Sequence, residues 1–197
     1  MLRSRWTGVT TWRPCELRSQ RDAPAATRPA PVRFRVRTHF EGGPAEVSRA
    51  FADPALYEAF AGLPRADRPE VLEHRVDEAT VLLRVRWRFS GHLSPAARAV
   101  IDPEKLSWVQ ETTHDLEHCR ATFRMVPDHY RDRFSCSGEY QFVADGDGSA
   151  RIVEGDLRIK APLVAGTVEK AIVSGLEDQL TSEVPIVDAF VAGESRG

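Results

Sequence analysis

Val32, Phe34, Val36, Thr38 and Phe40 alternate with Arg33, Arg35, Arg37 and His39, the period-two pattern of a strand with one wet face. Glu41-Gly42-Gly43-Pro44 ends that strand, and Pro44 is placed to open a short helix over Ala45–Ala52 that buries Val47, Ala50 and Phe51. Asp53-Pro54 is a second helix start, a carboxylate cap before a proline at the first helical position. That helix carries Leu56, Tyr57 and Phe60 and stops near Gly62 and Pro64.

Strands then follow closely. Val71–Val76 is a candidate, with a turn at Asp77-Glu78. Val81, Leu83, Val85, Trp87 and Phe89 point one way while Arg84, Arg86 and Arg88 point the other. Ser94-Pro95 caps a short helix through Ile101, and Asp102-Pro103 makes the next turn. Leu106–Thr113 is strand-like and holds Trp108. Cys119, Ala121, Phe123 and Met125 form one inward row, and Phe134, Cys136, Gly138, Tyr140 and Phe142 form another. Asp145-Gly146-Asp147-Gly148 is a hairpin turn leading to Val153, Leu157 and Ile159. The pattern predicts about seven strands, nearly all with one wet face, as in an antiparallel sheet covered on one side. From Leu163 the period changes. Val168, Ile172, Leu176, Leu180, Val184, Val187 and Val191 recur at spacings of three and four, the stripe of one long helix that Pro185 bends and Gly193 ends.

The predicted class is therefore α+β, an antiparallel sheet wrapped around a long C-terminal helix. The order of strand, two short helices, six strands and long helix resembles the helix-grip fold of the START-like superfamily (SRPBCC), which includes lipid-transfer proteins, plant pathogenesis-related proteins and polyketide cyclases. The segment Ile159-Lys160-Ala161-Pro162-Leu163-Val164-Ala165-Gly166-Thr167-Val168-Glu169 looks like the strand-to-helix junction of an uncharacterised bacterial branch, with Ala165 where a further glycine is expected. The resemblance implies a cavity between sheet and helix, a cytosolic setting and no fixed cofactor. It supplies no catalytic residue.

Charge separates an arm from this domain. Residues 1–31 hold six arginines and two acids, a net of +4, which leaves −6 for the rest of a chain whose total is −2. The arm is Pro- and Ala-rich between Ala23 and Pro31 and lacks an apolar period, so it is expected to be a disordered extension. The domain is expected over 32–193, with a tail at 194–197. No basic field points to nucleic acid, and the aromatics lie on the rows opposite the arginines. No apolar run reaches the roughly 18–20 residues of a membrane span. Three cysteines without CxxC spacing, Cys15, Cys119 and Cys136, argue against a disulfide framework and a structural zinc site, and for the cytoplasm.

Candidate chemistry is sparse. His114 and His118 have HxxxH spacing, with His129 as a conceivable third ligand, but they flank a hairpin turn, so a solvated turn is the preferred reading. Glu169 lies about 100° around the helix from Val168 and is expected at the exposed edge of the stripe. Cys119 and Cys136 are expected to act as small hydrophobes. No nucleophile motif or phosphate loop is present. The favoured expectation is binding of a hydrophobic small molecule or lipid, lined by Trp87, Phe89, Phe123, Met125, Tyr140, Phe142, Val168 and Ile172, with no metal and no cofactor. The alternatives are a cyclase or dehydratase using Tyr140, His114 or Glu169 as acid or base, and an interaction module or homodimer subunit with a filled core.

Overall fold

The computed structural model describes residues 31–91, 98, 102–160 and 165–193, and the backbone alone at 165–168 and 171. The arm, the tail at 194–197 and the helix expected to begin at Ser94-Pro95 lie outside the described residues, apart from Pro31 and the helical Arg98. The elements are β1 (Val32–Phe40), α1 (Pro44–Ala52), α2 (Pro54–Ala59), β2 (Glu70–Asp77), β3 (Thr80–Arg88), β4 (Ser107–Asp115), β5 (Arg120–Pro127), β6 (Phe134–Asp145), β7 (Gly148–Ile159) and α3 (Ala165–Val191). The seven strands form one sheet in the order β1-β7-β6-β5-β4-β3-β2, and every pair is antiparallel. This is the helix-grip architecture that the hydrophobic patterns predict.

Local chemistry sets the ends of the elements. The Glu46 carboxylate accepts the Gly43 N–H at 2.9 Å at the start of α1, and the Asp53 side chain accepts the Ala55 N–H at 2.9 Å at the start of α2. Tyr130, at φ 60°, reverses the chain between β5 and β6, and its carbonyl accepts from the Arg133 and Phe134 N–H groups. Cys119, expected on an inward row, sits instead in the turn before β5 at φ 50°.

Where β6 meets β7, Gly138 and Gly155 are direct partners. A Cβ on Gly138 would lie 2.0 Å from the Glu154 carbonyl oxygen, and one on Gly155 would lie 2.6 Å from the Phe34 ring. Backbones this close mark a sharp bend, which only residues without side chains allow.

The wet face of the sheet is an ion-pair ladder. Glu73, Arg84, Glu111 and Arg124 stand opposite one another across β2, β3, β4 and β5, and each neighbouring pair is an ion pair. Arg33 with Asp156 and Arg35 with Glu154 repeat the arrangement across β1 and β7. Such exposed pairs fix register more than they add stability.

Helix α3 grips unevenly. Its backbone runs close to β1 and β7, α1 and α2. Around its C-terminal half the core is full: Phe40, Val47, Phe51, Phe142, Leu180, Val187 and Phe190 are all buried. Around its N-terminal half, Ile172, Val173 and Leu176 remain half-buried, as do the inward Trp108, Met125 and Phe134 of the sheet.

Candidate functional site

In the full half, Arg151 of β7 points inward with 2% of its side chain exposed and meets Glu183 of α3 at 2.8 Å. Its other guanidinium nitrogens donate to the Leu180 carbonyl at 3.2 Å and to the Thr38 hydroxyl at 3.3 Å. The guanidinium also lies 4.5 Å from the Phe51 ring centroid and 5.5 Å from that of Phe40, within cation–π range. Every nitrogen is satisfied, so the pair acts as a brace between sheet and helix and offers nothing to a ligand. The Tyr57 hydroxyl nearby donates to the Phe51 carbonyl at 3.0 Å, and burial holds its phenol far above the usual titration range.

A polar stripe runs along the inner face of β4. Trp108, Gln110, Thr112 and His114 of β4 stand opposite Trp87, Val85, Leu83 and Val81 of β3 and share their inward face. Exposure decreases along the stripe from the half-buried Gln110 to Thr112 at 3% and His114 at 1%. Gln110 donates to the Tyr140 hydroxyl at 3.0 Å, and the Tyr140 ring stacks on Phe123 at 4.7 Å. Burial raises the Tyr140 phenol well above its ordinary value, so it remains a protonated hydrogen-bonding group. Neither ring nitrogen of His114 has a hydrogen-bond partner among the described residues, and the indole N–H groups of Trp87 and Trp108 are in the same position. Burial, followed by the nearby His74, lowers the His114 pKa to about 4. The ring is therefore neutral near pH 7, with one N–H and one lone pair unspent.

These placements correct two sequence expectations. His114 is not in a solvated turn. The residue that occupies the turn is His118, whose ring and backbone N–H both bond Asp115. That contact, helped by Arg120, holds the Asp115 carboxyl below its usual range. Glu169, expected to be exposed, is 8% exposed on α3. Among the described residues no group of three or more His, Cys, Asp or Glu side chains is placed to share a metal ion.

Of the predicted lining residues, Trp87, Phe123, Met125, Tyr140 and Ile172 all belong to the inner core or pack against it. Phe142 faces inward too, but lies in the full half, 5.6 Å from Phe51. Phe89 follows β3, bridges to Ala66 and is half-buried outside the main core. The side chain of Val168 lies outside the described residues. Cys136 is buried, as its inward row predicts, and burial pushes its thiol up to about 12.

A family model described as a protein of unknown function, DUF2505, matches residues 35–190. The chain belongs to that family. No curated protein matches the DUF2505 chain in sequence. Among solved structures, the protein TTHA0849 from Thermus thermophilus superposes with a TM-score of 0.59 at 19% identity, over 83% of this chain and 99% of that one. The protein named Ara h 8.0201 gives 0.53 at 13% identity, over 83% and 99%. The Zhui aromatase/cyclase from Streptomyces sp. R1128 gives 0.50 at 15% identity, over 84% and 94%. At these identities the likeness establishes a shared START-like fold for the DUF2505 chain. No helix among its described residues is long and apolar enough to cross a membrane.

Proposed function

We propose that the protein binds an apolar small molecule bearing a hydrogen-bonding group, held between the inner sheet face and α3. The buried, neutral and unpartnered imidazole of His114 carries this reading. Leaving a buried polar group unpaired costs about 1–3 kcal/mol, and a ligand hydroxyl could satisfy both ring nitrogens by donating to one and accepting from the other. In this reading Trp87, Phe123, Met125, Tyr140 and Ile172 form the apolar walls, a role that their place in or against the inner core supports. The shared fold with a protein named as an aromatase/cyclase is consistent with a ring-bearing ligand. The free thiols of Cys119 and Cys136 suit a reducing compartment and support a cytoplasmic setting.

The test compares 2-naphthol with naphthalene by fluorescence titration. Wild type is expected to prefer the naphthol by about tenfold, the value of one buried hydrogen bond. His114→Leu is expected to lose that preference while remaining folded. If wild type binds neither aromatic and His114→Leu only stabilises, the reading fails in favour of an interaction module with a filled core.

A further inference from the structure

At one end of the sheet, the turn before β6 and the end of β7 enclose a recess of about 160 Å³ lined by Arg131, Asp132, Arg133, Phe134, Ser135, Arg158 and Lys160. Four cationic side chains thus face a single carboxylate. The arginines of the ladder on the sheet, by contrast, each have an acidic partner within ion-pair distance. None of the four cations around the recess makes an ion pair among the described residues, and neither does Asp132. The Arg158 Nε is shielded from solvent and has no hydrogen-bond partner among the described residues.

The backbone fixes the frame of the recess. The Lys160 N–H donates to the Arg133 carbonyl at 2.7 Å, which ties the end of β7 to the turn. Arg131 Nε donates to the Pro127 carbonyl at 3.0 Å, which holds that guanidinium over the turn with its remaining N–H groups free to bind an anion. Arg158 stands beside Ser135 in the β6–β7 register, so the Ser135 hydroxyl lies on the same wet face. Like charges gathered without counter-charges repel one another, and an anion bound among them relieves the repulsion while accepting several charge-assisted hydrogen bonds.

We propose that this recess is a binding site for a phosphate-type anion, held by Arg131, Arg133, Arg158 and Lys160. Tetrahedral oxygens match a set of donors arriving from two strands and a turn, and the volume accommodates a phosphate group with part of what it is attached to. The chemistry is the same for a soluble phosphate monoester and for a phospholipid headgroup. The site is separate from the ligand site proposed on the inner sheet face, although Phe134 forms part of its wall and also packs against the core.

The probe is inorganic phosphate, added to the full chain and followed by calorimetry and thermal unfolding, with chloride at equal ionic strength as reference. Wild type is expected to bind phosphate with a rise of several degrees in the unfolding midpoint over chloride. The double variant Arg158→Gln, Lys160→Gln is expected to weaken binding by about tenfold or more. Arg33→Gln with Arg75→Gln removes the same charge from exposed positions elsewhere and is expected to leave binding within about twofold. Vesicles of phosphatidylcholine with and without phosphatidic acid separate the two sources. Sedimentation only with phosphatidic acid, competed by phosphate, assigns a lipid headgroup. Phosphate binding without sedimentation assigns a soluble ligand. A midpoint rise equal to that in chloride, or equal weakening in both double variants, overturns the site.

Discussion

Arg151 and Glu183 show how much depends on single side chains in this interior. Arg151→Met would leave the Glu183 carboxylate buried without its cation, and a loss of about 3–5 kcal/mol is expected in urea unfolding. The double variant Arg151→Met, Glu183→Leu is expected to recover most of that loss, because both desolvation penalties disappear together. His114 makes a prediction about pH. It titrates at about 4 in the fold against 6.5 for the free group. Between those values the unfolded chain binds more protons, so stability falls as the pH drops through that window and is level above it. The fall begins near pH 6.5, is complete near pH 4, and amounts to about 3 kcal/mol. His114→Leu is expected to be more stable than wild type at neutral pH, and the gap between the two should widen by that amount at pH 4. A gap that stays constant with pH would show a hydrated ring. These residues were only partly legible in the sequence. Arg151 shares odd parity with Val153, Leu157 and Ile159, and Glu183 stands three residues after Leu180 and four before Val187, so strand parity and helical spacing could have placed them.

At the scale of elements, strands with one apolar row declared their inner face, as β1 and β3 do. β4 did not. Its two rows, Gln110-Thr112-His114 and Glu111-Thr113-Asp115, are both polar, so alternation says nothing about which faces the core. The register with β3 and β5 decides it, and that is long-range information. The polar stripe is invisible to the hydrophobic pattern for this reason, and the sequence instead predicts a solvated turn at His114. Glycine positions at this scale make opposite predictions. Gly138→Ala would push a methyl against the Glu154 carbonyl, and a loss of at least about 3 kcal/mol is expected because backbone must move. Gly175 lies inside α3, where a Cβ would meet only the Arg65 Nη1 at 3.7 Å. Gly175→Ala is therefore expected to gain about 0.5–1 kcal/mol. Denaturant midpoints of the two variants on either side of wild type would confirm both environments.

For the molecule as a whole, element order and the single layer of strands followed from periodicity, whereas the unequal grip of α3 did not. A stripe repeating every three or four residues marks the face of a helix that is buried, but not how near the opposite wall stands. β1 begins at Val32 and the family match at residue 35. Deleting residues 1–30 is accordingly expected to leave the thermal midpoint within about a degree, since the deletion removes no apolar period. A fall of several degrees would mean that Trp6 or Trp12 docks on the domain.

The pairing of β1 with β7 has a consequence in time. From β2 to β7 each strand pairs with its neighbour in sequence, and these contacts can form as the chain leaves the ribosome. β1 is made first, yet Val32 pairs with Leu157 and Phe40 with Ser149, so it must wait for nearly the whole domain to be synthesised. Contacts of such sequence separation bear a loop-closure cost before they stabilise anything. Until then β1 is an apolar segment without a partner and β7 an open edge, both attractive to other chains. Pulsed hydrogen exchange during refolding should find the β1 amides protected last. A circular permutant that joins the end of α3 to β1 and opens the chain at the turn between β2 and β3 would place β1 just after α3 in sequence and should bring that protection forward.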